Sequence, residues 1–269
     1  MTLYSTLELA RKVETSEALN HVAFVEAHRK IFTHSKASHQ RIGSGYAVYI
    51  DADSPLTQAF GLGFAGTVED DEIIRLEDFY KQRRCPVNIE VSHLADASLT
   101  SQLAKRGYQV VEYSDVLIKS LSGQDAHASF GDDRIGIVTA KEVDTLATTV
   151  ARGFADGGDF PQSLTQIFQT YFHQPNCTCF IARIDGEAAG GAAVFIDGTL
   201  ALLGAASTLP KFRCQGLQTD LLRSRLNFAA SRNCELVAVT TLPGTVSQRN
   251  VQRQGFQMVY ARTKFMRNS

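Results

Sequence analysis

A short stretch in the second half of the chain combines residue types that bind phosphate groups. Lys211, Arg213 and Gly216 stand between a strand-like segment, LALLGAAST, and an amphipathic helix. The first turn of a helix has about four unpaired N–H groups and a partial positive charge. Gly216 lets an anion approach the backbone closely, and the two cations add fixed charge. The pattern predicts an anion-binding site; a turn glycine and an exposed arginine before a helix are the alternative interpretation.

The same stretch, TLPKFRCQGLQTDLL, resembles the acyl-CoA-binding signature of the GNAT (GCN5-related N-acetyltransferase) superfamily. That signature reads Q/R-x-x-G-x-G/A after a V-x-P element, so Arg213 takes its first position, Gly216 its glycine, and residues 208–210 the V-x-P. A second match, S-x-x-N-x-x-x-x-G-F from Ser247, resembles the family's C-terminal helix and strand. The resemblance covers nearly all of residues 131–267.

The resemblance implies an acetyl-CoA-dependent N-acetyltransferase, in which an amine attacks the thioester directly in a ternary complex. It places pantetheine along the end of the strand and a backbone N–H, at Leu209, on the thioester oxygen. Backbone amides of residues 215–219 would hold the pyrophosphate, and Asn250 would contact the pantetheine arm or order a water. The implied cofactor-binding residues are Ser207, Thr208, Leu209, Arg213, Cys214, Gln215, Gly216, Leu217, Gln218, Thr219 and Asn250.

The chain departs from the family pattern where the proton donor is expected. Val251 stands at the position of the family's frequent general acid, a tyrosine, and Gln218 stands where the signature has Gly or Ala. Ser247 and Tyr260 are predicted as substitute catalytic acids. The alternatives are a serine that caps a helix and a tyrosine that packs in the core.

The usual base is also missing, because strand LALLGAAST carries no Asp or Glu. Asp156 and Asp159, in the loop ADGGDFPQ, are predicted to bind the cationic amine or relay its proton through water; turn formation is the alternative. A small-molecule amine is favoured over a protein acceptor, since the first half of the chain could wall off the cleft. A non-catalytic acyl-CoA-binding regulatory or scaffold protein is the alternative function, and O-acylation or longer acyl chains remain open.

The elements that position these residues follow from the hydrophobic pattern. Apolar positions recur at helical spacing from Lys141 to Phe154, and CTCFIARI, AAGGAAVFI and LALLGAAST read as strands joined by turns at Asp185 and Asp197. The predicted order of the second half is β-α-α-β-β-β-α-β-α-β. This order predicts an α/β fold in the broad sense, in which a twisted mixed (α+β) sheet is flanked by helices.

The first half of the chain repeats part of this pattern. LAKRGYQVVEY, from Leu103, aligns with VQRQGFQMVY, from Val251, at an offset of 148 residues. The alignment predicts two tandem GNAT-like domains, 1–122 and 133–269, joined by a linker at 123–132; chance similarity of αβ patterns is the alternative. The first copy lacks the signature and starts its matching helix with four acidic residues, 69–72, so it is predicted to be degenerate.

Composition limits the remaining classes of function. The chain has 269 residues, 44% of them hydrophobic and 20% charged, with a net charge of −1. The charge balance gives no support for nucleic acid or membrane partners, and no apolar run is long enough to span a membrane. A cytoplasmic location is expected because the N-terminus carries charges where a signal peptide needs apolar residues.

A metal site is not predicted. The five cysteines include a C-x-C pair, Cys177 and Cys179, on one face of a strand, without a second pair at zinc spacing, and this pattern is typical of buried thiols. Four of the seven histidines, at positions 21, 28, 34 and 39, stand close together near the start of the sequence. They are predicted to be scattered on the surface.

Overall fold

The computed structural model describes residues 3–121 and 134–268. The elements of the first half are α1 (Leu7–Ile31), β1 (Ser38–Ile42), β2 (Gly45–Tyr49), β3 (Ala59–Phe60), α2 (Asp70–Lys81), β4 (Val87–Ser92), α3 (Ala97–Lys105) and β5 (Gln109–Ser120). Those of the second half are β6 (Ile135–Ile137), α4 (Val143–Phe154), α5 (Gln162–His173), β7 (Cys177–Ile184), β8 (Glu187–Asp197), β9 (Leu200–Thr208), α6 (Leu217–Ser231), β10 (Leu236–Thr241), α7 (Val246–Arg253) and β11 (Gln257–Arg267). The predicted linker, 123–132, lies outside the described residues.

The chain forms two compact units that do not follow chain order. The N-terminal unit contains residues up to 117 together with 241–245 and those from 258 onward; the C-terminal unit contains 118–240 and 246–257. β11 therefore belongs largely to the N-terminal unit, whereas the sequence analysis assigned all of 133–269 to one domain. The reason is its antiparallel pairing with β4, from Arg262 opposite Ser92 to Arg267 opposite Val87. Alternation along a strand reveals which residues share a face and not which strand is the partner.

In the N-terminal unit the strand order is β1-β2-β3-β4-β11. α2 and α3 cover one face, where their apolar residues form a core with Ile89 and Val91 of β4. β3 has only two residues, Ala59–Phe60. Gly61 and Gly63 both have positive φ angles, 72° and 78°, so the extended backbone ends there.

A cluster of charged groups is buried between α1 and β11 in this unit. The guanidinium of Arg262, almost fully buried, donates to Glu14 Oε1 at 2.6 Å and pairs with Glu17 Oε2 at 2.5 Å. Beside it, His21 stacks on Phe60 with ring centroids 3.8 Å apart. His21 and a second histidine of α1, at position 28, are buried, so the prediction of surface histidines was wrong for both: their rings pack against aromatic neighbours.

The C-terminal unit has the strand order β10-β9-β8-β7-β6. Its elements follow the order that the hydrophobic pattern predicted, and the mixed sheet is confirmed because β9 pairs antiparallel with β8 and parallel with β10. Shifted by 148 residues, α2, β4, α3 and β5 fall on α6, β10, α7 and β11 within two residues at almost every boundary. The two halves of the chain therefore run through the same four elements before they end.

We expect Arg262→Ala to destabilise the N-terminal unit strongly. Removing the guanidinium leaves the Glu14 and Glu17 carboxylates buried without their cation, which costs about 3–5 kcal/mol. Urea unfolding followed by far-ultraviolet circular dichroism measures the loss. Arg267→Ala is the matched control on the same strand, because its half-exposed pair with Glu77 is worth at most about 1 kcal/mol. Equal losses for the two variants would contradict the structural role assigned to Arg262.

Candidate functional site

The last residues of β9 are redirected by a β-bulge. Between the pairs Ala193–Gly204 and Gly191–Ser207, one residue of β8 lies opposite two residues of β9. Ala205, the first of these two, has a positive φ of 53°, which residues other than glycine adopt infrequently. An extra residue of this kind bends the strand that carries it.

Beyond the bulge, β9 loses its second neighbour. Pairing with β10 ends at Leu203 and Val239, although β9 continues to Thr208. On this side an extended ligand could pair with the end of β9 as an added strand would, although the carbonyl oxygen of Thr208 already accepts a hydrogen bond from Arg213.

The side chain of Arg225 contacts the backbone of β8 and β9 next to the bulge. Its side chain is buried, and its Nη1 lies 3.4 Å from the carbonyl oxygen of Ala193 and 3.5 Å from that of Gly204, next to the bulge. Within the described residues no carboxylate pairs with it, and burial lowers the pKa of this guanidinium to about 10. The sequence analysis missed Arg225, although its place one turn after Leu221 on the buried face of α6 was a signal.

In the structure, the backbone N–H group that can reach a ligand beside β9 is a different one from the predicted N–H of Leu209. The N–H of Leu209, predicted to polarise the thioester, donates to the carbonyl oxygen of Ala189 at 2.9 Å and is already used. Successive residues of a strand point their N–H groups to opposite sides, so the N–H of Thr208 points away from β8. It faces the side on which β10 no longer pairs, and Thr208 is therefore the better placed donor.

The β9–α6 loop, residues 209–216, presents its backbone to solvent at the start of α6. Cys214 and Gly216 have positive φ angles of 62° and 83°, and Gly216 is the N-cap of α6 without a side chain to bond the first turn. A Cβ atom on Gly216 would meet one neighbour within 4 Å, Asp220 Oδ2 at 3.9 Å. The space beside Gly216 is therefore open enough for an anion to approach the backbone at the start of α6. The N–H of Thr219 is already used, because it donates to the carbonyl oxygen of Gly216 at 2.9 Å.

Arg213 braces this loop. Its guanidinium donates to the carbonyl oxygens of Thr208 and Gly153, both at 3.2 Å, and pairs with Asp156 Oδ1 at 2.5 Å. One side chain thus ties the end of β9 to the end of α4. Asp156, predicted to bind the amine, is occupied by this pair, whereas Asp159 is exposed in the same loop.

A second arginine at the loop escaped the sequence analysis. Arg134, just before β6, donates from Nη2 to Asp220 Oδ2 at 2.6 Å and from Nη1 to the carbonyl oxygen of Gln215 at 3.2 Å. The partners are 86 residues apart, so no local pattern could have indicated this contact.

Two of the remaining predicted cofactor residues, Gln218 and Ser207, donate side-chain hydrogen bonds. Gln218 spans the loop, since its Nε2 donates to Thr208 Oγ1 at 2.7 Å, and Ser207 Oγ donates to the carbonyl oxygen of Val150 at 2.9 Å. Leu217 is buried, while Cys214 and Gln215 are exposed. The structure thus gathers the predicted residues from Ser207 to Thr219 around one loop.

The predicted catalytic residues are not gathered there as a group. Ser247 is exposed in the first turn of α7, and Asn250 Oδ1 in the same helix accepts a hydrogen bond from Arg253 at 3.4 Å. Tyr260 belongs to the N-terminal unit, where its buried hydroxyl donates to Glu14 Oε1 at 2.8 Å. Burial and the neighbouring carboxylate raise the pKa of Tyr260 far above its usual value, which is unsuited to donating a proton near neutral pH.

The corresponding helix of the N-terminal unit satisfies its own first turn. Glu69 and Glu72 form a capping box at α2, in which Glu72 Oε2 accepts from the N–H of Glu69 at 3.1 Å. The N–H of Val68 donates to Ser98 Oγ at 2.7 Å. A cavity of about 250 Å³ borders this helix end, and both glutamates line it. The sequence analysis expected the acidic residues 69–72 to oppose a phosphate; the structure adds that they already bond the amides.

The described part of the chain lacks the features of two other classes of site, a membrane-spanning helix and a metal centre. Over residues 3–121 and 134–268, no helix has the length and apolar character needed to cross a membrane. Nor does that part of the chain bring three or more His, Cys, Asp or Glu side chains together as metal ligands would require. The five cysteines all lie within the described residues and form no disulfide, and Cys214 is exposed.

Comparison with known proteins identifies the fold of the chain. Residues 143–256 match the model of the acetyltransferase (GNAT) family. A GCN5-related N-acetyltransferase from Kribbella flavida superposes with a TM-score of 0.65 at 14% identity, over 94% of this chain and 95% of that one. One from Sphaerobacter thermophilus gives 0.58 at 14% identity, over 86% and 75%. A tandem GNAT protein from the clavulanic acid biosynthesis pathway gives 0.54 at 12% identity, over 82% and 73%. No curated protein sequence matches significantly.

These comparisons show that the chain has the GNAT acetyltransferase fold, as the sequence analysis predicted. The family match at residues 143–256 includes β9, the β9–α6 loop and α6.

We expect Tyr260→Phe to lower stability and leave chemistry intact. The variant deprives buried Glu14 of a hydrogen bond, which costs about 1–2 kcal/mol of unfolding free energy. The rate of CoA release from acetyl-CoA in the presence of a reactive amine should stay at the wild-type value. A fall of about 100-fold with unchanged stability would instead identify Tyr260 as the general acid.

Proposed function

We propose that the C-terminal unit transfers an acetyl group from acetyl-CoA to an amine by direct attack in a ternary complex. The observation that carries this proposal is the combination of an unpaired, bulged end of β9 with the uncapped start of α6, only eight loop residues further along the chain. One binds an extended chain through backbone groups, and the other binds an anion. Acetyl-CoA carries both features, pantetheine and pyrophosphate, in this order.

The residues of the β9–α6 loop fit the phosphate end of the co-substrate. Gly216 leaves open space at the helix start, where a Cβ would otherwise stand. The N–H groups of residues 216–218 would hold the pyrophosphate, and Arg213 would keep the loop in place through Thr208, Gly153 and Asp156. The bound group supplies an activated thioester; the protein supplies its position.

Thr208 would act at the reacting carbonyl. Its N–H points to the unpaired side of β9 and would stabilise negative charge that develops on the thioester oxygen during attack. Its hydroxyl accepts a hydrogen bond from Gln218 and its carbonyl oxygen accepts one from Arg213, which hold the residue in place. A donor held in this way needs no reorganisation when the charge develops.

Asp159 is the proposed contact for the cationic acceptor amine. It lies in the same loop as Gly157, whose Cβ would stand 3.2 Å from Pro210 at the start of the β9–α6 loop. The acceptor proposed is a small-molecule amine. Ser247 remains the proposed donor of a proton to the departing thiolate.

An acyl-CoA-binding regulator without turnover is the second candidate. It is favoured by the absence of any Asp or Glu along β9 and by the buried Val251 at the position of the family's usual acid. The same experiment separates the two functions: acetyl-CoA binding without acetylation of any amine would support the regulator.

We expect Gly216→Glu to abolish acetyl-CoA binding while the fold survives. The side chain would enter the open space at the helix start and place a negative charge beside the pyrophosphate. Calorimetric titration measures the affinity, and a panel of small amines and a lysine-containing peptide, analysed by mass spectrometry for acetylated products, measures turnover.

Gly186→Glu is the matched control for this variant. Gly186 has a similar positive φ of 80° and no atom within 4 Å of a Cβ, but it lies in the turn between β7 and β8. The same backbone strain is therefore introduced away from the loop, and binding should persist. Unchanged affinity in folded Gly216→Glu would refute the assignment of the phosphate site.

We further expect one acetyl-CoA per chain. In the N-terminal unit the capping box of Glu69 and Glu72 already bonds the first turn of α2, so an anion would have to displace two carboxylates. Titration of the full-length protein should give a stoichiometry of one, and Gly216→Glu should give none. Two equivalents for the wild type, or one remaining in Gly216→Glu, would show that the N-terminal unit also binds the co-substrate.

A further inference from the structure

The proposed phosphate site contains a charge that should oppose its ligand. Asp220 lies in the first turn of α6, and its Oδ2 is 3.9 Å from the position of a Cβ on Gly216. Two like charges this close repel each other appreciably even near a protein surface. An anion that approaches Gly216 therefore meets a carboxylate unless something compensates it.

The N-terminal unit shows what a carboxylate at this place does when no cation holds it. At the offset of 148 residues, Asp220 corresponds to Glu72, the third residue of α2. Glu72 accepts the N–H of Glu69 and thereby occupies the start of its own helix. Within the described chain no lysine or arginine pairs with Glu72. The two copies thus carry an acidic side chain at matching positions.

Arg134 makes the difference in the C-terminal unit. It holds the Asp220 carboxylate through Nη2 and the carbonyl oxygen of Gln215 through Nη1, so one planar group joins the first turn of α6 to the loop before it. The pair neutralises the carboxylate and fixes its direction.

We propose that Arg134 is a positioning residue for co-substrate binding, which keeps Asp220 from competing with the pyrophosphate for the start of α6. This inference rests on the proposed function and adds a residue to it that lies outside the recognised signature. Arg134 acts through Asp220 and the loop backbone, and it need not touch the ligand.

Four proteins test the proposal: the wild type, Arg134→Ala, Asp220→Asn and the double variant, each titrated with acetyl-CoA. Arg134→Ala frees the carboxylate and should raise the dissociation constant about tenfold or more. Asp220→Asn removes the competing charge and should bind at least as tightly as the wild type. The double variant should return to the affinity of Asp220→Asn, since without the Asp220 carboxylate no charge of that residue remains to compete at the start of α6.

Two further measurements separate this role from a purely structural one. The loss in Arg134→Ala should shrink as salt is raised, because the competition is electrostatic. It should also persist with dephospho-CoA, which keeps the pyrophosphate and lacks the 3′-phosphate. Arg183→Ala is the control: it removes a similarly exposed pair, with Glu142 at 2.5 Å, away from the loop, and should leave the affinity unchanged.

The outcomes are distinct. Failure of the wild type to bind acetyl-CoA would overturn the proposed function itself. Wild-type affinity in Arg134→Ala would overturn the role of Arg134 alone. A double variant that binds as weakly as Arg134→Ala would show that Arg134 contacts the ligand or holds the loop directly. If Arg134→Ala bound dephospho-CoA as tightly as the wild type does, Arg134 would instead contact the 3′-phosphate. Either result would refute the proposal that Asp220 competes with the pyrophosphate.

Discussion

Every α-helix begins with about four N–H groups that the helix cannot satisfy, and this constraint organises both units of the protein. In the N-terminal unit, α2 resolves part of it internally, because the side chains of Glu69 and Glu72 accept hydrogen bonds from two amides at the helix start. In the C-terminal unit, the N-cap of α6 is Gly216, which has no side chain to offer. The same backbone geometry is thus closed in one copy and open in the other.

An open helix start is useful only if the strand before it is also open, and the bulge in β9 provides this. Its extra residue redirects the strand after Leu203, so that β10 no longer pairs with it. Next to the bulge lies a buried guanidinium, Arg225, that donates to backbone carbonyls and has no carboxylate partner in the described part of the chain. Desolvating a cation in this way opposes folding, and such costs concentrate where a protein works.

The sequence predicted the parts of this arrangement that depend on local pattern. Helical spacing, Asp-Gly turns and the position of Gly216 before an amphipathic helix located β7, β8, β9 and α6 to within a residue or two. It could not predict which strand β11 pairs with, that the N–H of Leu209 is taken by Ala189, or that Arg134 reaches Asp220. Each of these contacts joins segments that are distant in the chain, and strand register or side-chain direction decides it. Buried His21 was missed for the same reason, since stacking on Phe60 leaves no local signal.

The two copies also show that acidic residues at a helix start do not by themselves decide whether an anion can bind. Asp220 and Glu72 occupy matching positions, yet Glu72 bonds its own helix and Asp220 bonds an arginine. The residues around them differ in the direction that this predicts: at the offset of 148, Gly216 corresponds to Val68 and Arg213 to Ala65. The N–H of Val68 donates to Ser98 Oγ, so this amide of the N-terminal copy also has a partner within its own unit. Opening that loop would therefore need several simultaneous changes, whereas closing the C-terminal loop would need one.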